Sequence, residues 1–297
     1  LGIGDDCALL AVPPGEQLAI STDTLVAGVH FADPCDPFLL GQRSLAVAVS
    51  DLAAMGATPI AFTLALTLPT VTADWLDAYA RGLNLMAQSC GVALVGGDTT
   101  RGPLSLTMTV FGRVPSGLAL TRSGAKPGDL LCVGGELGNA AGALPLVLGQ
   151  RTAEPAIADP LLAHYWSPQP QLGLGMALRG KATSALDISD GLLADCGHIA
   201  LASKVGIQVE RDRLPLSKAL VALLGQSGAE NAALSGGDDY VLAFTLPSVE
   251  LPQMMADGWP IHVVGRVVAG QGVVLLDADG QDITPQTRGY QHFRETP

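Results

Sequence analysis

The stretch SLAVAVSDLAAMGATPIAFTLALTL, residues 44–68, decides how the chain is read. Its first half, Ser44 to Met55, has helical spacing, with Leu45, Val49, Leu52 and Met55 on one face. Ala46, Val47, Ala48, Ala53 and Ala54 make the other positions mostly apolar too. A helix apolar all round is a buried helix. Gly56 and Pro59 break the pattern, and Ile60–Leu68 then reads as a strand. The charge-free run from Leu52 to Ala73 is long enough to raise the question of a membrane span. Pro59, Pro69, Gly56 and five threonines interrupt it, so a buried helix end, a turn and a strand fit better.

The same alternation continues outward. Leu18-Ala19-Ile20 is a short apolar strand running into Ser21-Thr22-Asp23-Thr24. Thr72 caps a second helix, with Asp74 in its first turn and Leu76, Tyr79, Leu83 and Met86 on one face. Gly91 stands where a helix stop belongs. Val92–Val95 is a strand entering Gly96-Gly97-Asp98-Thr99, and Leu104–Val110 alternates with the period of a half-buried strand. Pro115-Ser116-Gly117 and Lys126-Pro127-Gly128-Asp129 punctuate the middle, which puts a domain boundary near 115. Beyond it come a strand at Leu130–Val133, a short helix from Asn139, and Ser184-Ala185-Leu186 leading into Asp187-Ile188-Ser189-Asp190-Gly191. A helix with Leu192, Cys196 and Ile199 on one face runs to Gly206, and strands follow at Val241–Thr245, Ile261–Val264 and Val273–Leu276. The fold class is mixed α/β in two domains, 1–114 and 115–297, as 297 residues lead one to expect.

Composition narrows the function. Hydrophobic residues make up 48% and aromatics only 4%, so the cores are aliphatic and alanine-rich. The formal net charge is −12, which repels phosphate backbones and anionic lipid, so neither nucleic acid nor a membrane is an expected partner. The acids are 21 Asp and 7 Glu. Asp serves turns and binds hard cations, and position decides between the two. Five cysteines without a C-x-x-C pair suggest reduced cytosolic thiols rather than a disulfide frame or a zinc site. No charged segment followed by an apolar run marks a secretory signal, and a cytoplasmic location is expected. The chain opens inside a strand-to-loop passage without Met, so a preceding segment is expected.

One event recurs. A short strand or buried helix delivers one or two Asp flanked by Gly, Ser or Thr: at Gly4-Asp5-Asp6, Ser21-Thr22-Asp23, Ser50-Asp51, Gly96-Gly97-Asp98-Thr99, Asp187-Ile188-Ser189-Asp190 and Gly236-Gly237-Asp238-Asp239. A single such acid is an ordinary turn or cap. Six point to a ligand site at converging chain ends. Asp51 is the sharpest case, because it lies inside an apolar helix. Burying an unpaired carboxylate costs on the order of several kcal/mol, so it calls for an arginine or a divalent cation. Carboxylates and hydroxyls without clustered His or Cys favour a hard ion such as Mg²⁺, Mn²⁺ or Ca²⁺. An acid-lined cleft with 4 Lys and 12 Arg in the chain suits metal-bridged polyphosphate. Gly175–Ala182 nearly matches a P-loop but lacks its Ser/Thr and reads as a helix end.

Together these motifs resemble the thiamine-monophosphate kinase family, which shares a superfamily with aminoimidazole ribonucleotide synthetase and selenophosphate synthetase. The carriers are Gly-Ile-Gly-Asp-Asp at 2–6, Ser-Thr-Asp-Thr at 21–24, Val-His-Phe at 29–31 and Ser-Asp-Leu-Ala-Ala-Met-Gly at 50–56. Gly-Gly-Asp-Thr-Thr at 96–100, Leu-Thr-Arg-Ser-Gly-Ala-Lys-Pro-Gly-Asp at 120–129, Asp-Ile-Ser-Asp-Gly at 187–191, Ser-Gly-Gly-Asp-Asp-Tyr at 235–240 and Gly-Tyr-Gln-His-Phe at 289–293 continue them.

The resemblance implies ATP-dependent phosphorylation of thiamine monophosphate to thiamine diphosphate, with several Mg²⁺ ions. It implies magnesium ligands at Asp6, Ser21, Thr22, Asp23, Asp51, Asp98, Asp187 and Asp190. Gly97, Asp98, Arg122 and Ser189 match nucleotide contacts, and His30, Asp238 and Tyr290 match thiamine phosphate contacts. Asp23, Asp51, Asp98 and Arg122 would carry catalysis. It further implies a homodimer formed through the N-terminal sheets, with the C-terminal domain completing the cleft. The family usually carries Glu where this chain has Asp238, one methylene shorter. A sister synthetase, a phosphoaspartyl phosphatase and a non-catalytic cation binder are the rivals. The C-terminal Gly-Tyr-x-His-Phe, the lack of a D-x-D-x-T motif and Arg122 between Thr121 and Ser123 weigh against them in turn.

Overall fold

A computed structural model describes residues 7–286 and 289. Two compact units emerge. The first comprises residues 1–119 and Trp166–Met176, and the second Leu120–Tyr165 with residues 177–297. The return of Trp166–Met176 to the first unit has no local sequence signal. Its close approach depends on Gly175, where a Cβ would collide with the Ala53 carbonyl oxygen.

In the first unit, β1 (Glu16–Val26), α1 (Pro37–Ala54), β2 (Thr58–Leu68), α2 (Ala73–Cys90), β3 (Ala93–Arg101) and β4 (Ser105–Pro115) follow in order. The sheet runs β1-β4-β2-β3, with only β2 and β3 parallel. α1 starts seven residues before the expected Ser44. Asp36 caps it by accepting from the Phe38 N–H at 2.8 Å, and Pro37 sits at its first turn. α1 is buried almost all round, between the sheet and α2. α2 has the predicted limits: Thr72 caps its start, and Gly91, at φ +67°, ends it.

β4 alternates without a break. Leu106, Met108, Val110 and Val114 are buried and the residues between them half-buried. The opposite face of β1 and β4 pairs Thr22 with Thr109 and Thr24 with Thr107 through their hydroxyls, at 3.0 and 2.9 Å. Leu18 and Ile20 on that face are exposed. No helix of the described residues is long and apolar enough to cross a membrane.

The second unit contains β5 (Leu130–Val133), α3 (Asn139–Val147), α4 (Pro155–Trp166), α5 (Leu172–Leu178), β6 (Ser184–Asp187), α6 (Leu192–Ser203), β7 (Gly206–Glu210), α7 (Lys218–Ser235), β8 (Leu242–Leu246), α8 (Leu251–Ala256), β9 (His262–Val268) and β10 (Gly272–Leu276). α4 and α5 run across the divisions between the units. The six-stranded sheet has the order β10-β7-β9-β5-β8-β6, parallel only between β10 and β7. α6 ends at Ser203, before the expected Gly206, because Lys204 takes the left-handed stop and Gly206 opens β7. Leu192, Cys196 and Ile199 enter a core with Val133, Ile207 and Val264.

α1 and α2 touch through facing glycines. A Cβ on Gly41 would fall on Tyr79 O, and one on Gly82 on Phe38 O. Gly82→Ala should therefore lower stability by about 2 kcal/mol or more, despite alanine's better helix propensity. Urea unfolding measures it, and an unchanged midpoint contradicts this packing.

Candidate active site

The first unit carries Ser21, Thr22 and Asp23 in the middle of β1, not at a strand end. Strand alternation sorts them. Ser21, Asp23 and buried Leu25 share the face toward α1, and the Ser21 hydroxyl donates to the Asp51 carboxylate of α1. Thr22 points the other way, toward Thr109. Asp51 is half-buried rather than enclosed, and a hydroxyl supports it. This revises the picture of an isolated buried charge. Its position still favours a cation, since it lies in the last turn of α1 with no basic residue there, at the negative end of the helix dipole.

Gly97 and Asp98 also lie within a strand, β3, on the sheet edge. The register aligns Gly97 with Leu64, Met108 and Asp23, and Asp98 with Ala65, Thr107 and Thr24. Asp98 is exposed and one row away from Asp23. Gly97, at φ +149°, packs so tightly that a Cβ would strike the Leu64 carbonyl oxygen. His30 is half-buried. Its Nδ1 accepts the Val26 N–H at 3.0 Å, so its proton is carried on Nε2. The buried Arg43 guanidinium donates to the His30 carbonyl at 3.5 Å.

In the second unit, Asp187 ends β6 and is buried, while Ser189 is exposed and Asp190 half-exposed. Their loop and the Gly236–Tyr240 loop are bonded together. Asp238 N donates to Ser189 O at 2.9 Å, Tyr240 N to Ile188 O at 2.8 Å and Ile188 N to Val241 O at 2.9 Å. Asp238 adopts φ +70° and Tyr240 φ +51°, the left-handed region side chains avoid, and the Tyr240 hydroxyl donates to Asp238 Oδ1 at 3.1 Å. Gly289 packs against Asp190 and Ala194. Arg122 is exposed on the loop after Thr121, whose carbonyl accepts from Ala185 N at 2.9 Å. Asp6 and Tyr290 lie outside the described residues.

Among the described residues, no three His, Cys, Asp or Glu side chains form a metal cluster by themselves. The donors at Ser21, Asp23 and Asp51 are hard oxygens, and Mg²⁺ commonly takes one or two carboxylates and completes its shell with water and substrate phosphate. The donor chemistry fits that ion.

The AIR synthase related protein family models match the chain, the N-terminal domain over residues 4–114 and the C-terminal domain over 126–277. The thiamine-monophosphate kinase of Escherichia coli K12 is 46% identical, over 99% of this chain and 92% of its own length. This chain belongs to the thiamine-monophosphate kinase family. The crystal structure of that kinase from Stenotrophomonas maltophilia K279a superposes with a TM-score of 0.88 at 45% identity, over 95% of this chain and 91% of that one. AaThiL complexed with AMPPCP and TMP gives a TM-score of 0.86 at 28% identity, over 95% and 89%.

Sequence reasoning passed over Asp195, and placed Asp239 in a motif without a role of its own. Asp195, in the first turn of α6, is buried, and one of its carboxylate oxygens accepts the N–H groups of Ser189, Asp190 and Gly191 at 3.0, 3.0 and 3.1 Å. Burial pushes it up to about 6, against those N–H groups. An acid on the apolar face of α6 was visible by the same logic that singled out Asp51. Asp239 reaches the start of α3 and accepts from the Gly138 N–H at 2.7 Å.

Burial pushes the Asp239 carboxyl up to about 8, while the Gly138, Ala140 and Asn139 N–H groups pull it down and Asp238 adds to the rise. The native state then holds this proton more tightly than the unfolded chain, whose carboxyl titrates near 3.8. That stabilisation is full below 3.8 and is lost as the pH rises through about 8. Asp239→Asn, uncharged throughout, should gain stability relative to the unsubstituted protein as the pH is raised across this window. Urea unfolding at several pH values tests it, and a constant difference contradicts it.

Proposed function

We propose that this chain transfers the γ-phosphoryl group of ATP to thiamine monophosphate, giving thiamine diphosphate and ADP. The observation that carries this reading is the 46% identity to a thiamine-monophosphate kinase across 99% of the chain. The AMPPCP and TMP complex of AaThiL supports the same pair of substrates.

Phosphoryl transfer asks a protein for positioning and charge stabilisation more than for covalent chemistry. The acceptor is a phosphate oxygen whose second pKa is about 6, so it is largely ionised at neutral pH and needs no strong base. The obstacle is repulsion between two anions. Mg²⁺ held by Asp23 and Asp51 and by Asp187 and Asp190 would neutralise that charge. Ser21 orients the Asp51 carboxylate by its hydrogen bond. Asp98 and Ser189 offer exposed polar groups on backbones that are fixed by strand pairing and by Asp195. Arg122 supplies a positive charge for the nucleotide phosphates. The shorter Asp238 reaches the substrate side from its left-handed conformation, and His30 presents its Nε2–H. Transfer is direct and in line, without a phosphorylated enzyme.

A homodimer through the first unit's sheet belongs to the same reading. Ile20 is 57% exposed on the edge strand β1, and Leu18 40%. Ile20→Lys should yield a monomer by light scattering, and an unchanged mass contradicts this surface.

Asp51→Asn keeps the shape and loses the charge. Formation of thiamine diphosphate should fall by about 100-fold or more, with the unfolding midpoint nearly unchanged. Near-normal turnover in that variant would remove Asp51 from the machinery.

A further inference from the structure

Ser203, the last residue of α6, is 81 residues from Arg122 in sequence and bonded to its loop. A hydroxyl has one hydrogen to donate and two lone pairs, and this one uses all three. It donates to the Arg122 carbonyl at 3.1 Å and accepts the N–H groups of Gly124 and Ala125, both at 3.1 Å. Two further contacts brace the same turn. The Thr121 hydroxyl donates to the Ser123 carbonyl at 2.8 Å. Gly124, at φ +121°, sits where a Cβ would strike the Thr183 carbonyl oxygen.

The side chain this turn displays is left available. The Arg122 guanidinium is exposed, and among the described residues it has no ion pair. A fixed backbone under an uncommitted arginine suits phosphate recognition, because the guanidinium fork loses less freedom on binding when its anchor is already ordered. The far end of the same helix holds Asp195, which gathers the Ser189–Gly191 amides. One rigid helix therefore fixes both loops that carry the second unit's nucleotide contacts.

We propose that Ser203 is a positioning residue for nucleotide binding: its hydroxyl fixes the Arg122–Ala125 turn and thereby sets the affinity for the triphosphate. The inference deepens the proposed function and rests on Arg122 meeting the nucleotide.

Steady-state kinetics of the full chain test it, with ATP varied at saturating thiamine monophosphate and then the reverse. Ser203→Ala should raise KM for ATP by about five- to tenfold, the scale of one lost hydrogen-bonding group. KM for thiamine monophosphate and the unfolding midpoint should stay close to those of the unsubstituted protein. Ser203→Thr, which keeps the hydroxyl, should restore the ATP value, and Ser203→Cys should fall between. Arg122→Ala should raise KM for ATP by itself, and adding Ser203→Ala to it should cost nothing more. An ATP KM within about twofold of normal in Ser203→Ala, with Arg122→Ala impaired, overturns this inference and leaves the proposed function standing. An unimpaired Arg122→Ala removes the nucleotide role of Arg122, and the inference with it. Equal losses for both substrates together with a lowered midpoint would mean a structural role only, and overturn it too.

Discussion

Three consecutive N–H groups, from Ser189, Asp190 and Gly191, converge on one oxygen of Asp195, and the second unit's candidate site depends on that convergence. The chain concentrates acids where it has few bases. The buried Asp195 draws its partners from backbone N–H groups. Asp239 does the same at the start of α3. Each internal carboxyl group ties down a loop whose neighbouring polar groups then face outward. The two loops are joined by main-chain bonds, and at Gly237 any side chain would collide with the Ser189 carbonyl oxygen. Asp187, Ser189, Asp190 and Asp238 are thus carried on backbone with little freedom left to lose.

The first unit solves a similar problem with a hydroxyl. Ser21 supports Asp51 across the gap between β1 and α1, and the helix end adds negative potential. In a protein of net charge −12, such a place repels a bare triphosphate and attracts a divalent cation. That sign pattern is what transfer between two anionic substrates requires. In the proposed reaction neutralisation would come with the metal, so few basic residues would be needed, and the braced Arg122 would add direction.

Much of this was legible in residue order. The alternation of β4 and the caps of α2 are local signals; α2 has its expected limits, and β4 forms where expected but runs on past Val110 to Pro115. The strands β1 and β3 run on through polar residues that looked like loops. Ser21, Thr22 and Asp98 lie within paired strands because neighbouring strands offer them backbone partners and, for Thr22, a facing Thr109 hydroxyl. Which strands are neighbours is a long-range fact. The expected isolation of Asp51 failed for the same reason, since its partner is 30 residues away. The roles of Asp195 and Ser203 were invisible because their partners are main-chain atoms, which every residue possesses. The return of Trp166–Met176 to the first unit likewise rests on long-range contacts, among them Gly175 against Ala53 and Ser167 with Gln42.

The most direct measurement follows thiamine monophosphate by mass in the presence of ATP and Mg²⁺, with each component omitted in turn. The account predicts thiamine diphosphate and ADP in equal amounts only when all three are present. ADP release that does not depend on thiamine monophosphate, or no turnover by the folded protein, would contradict it.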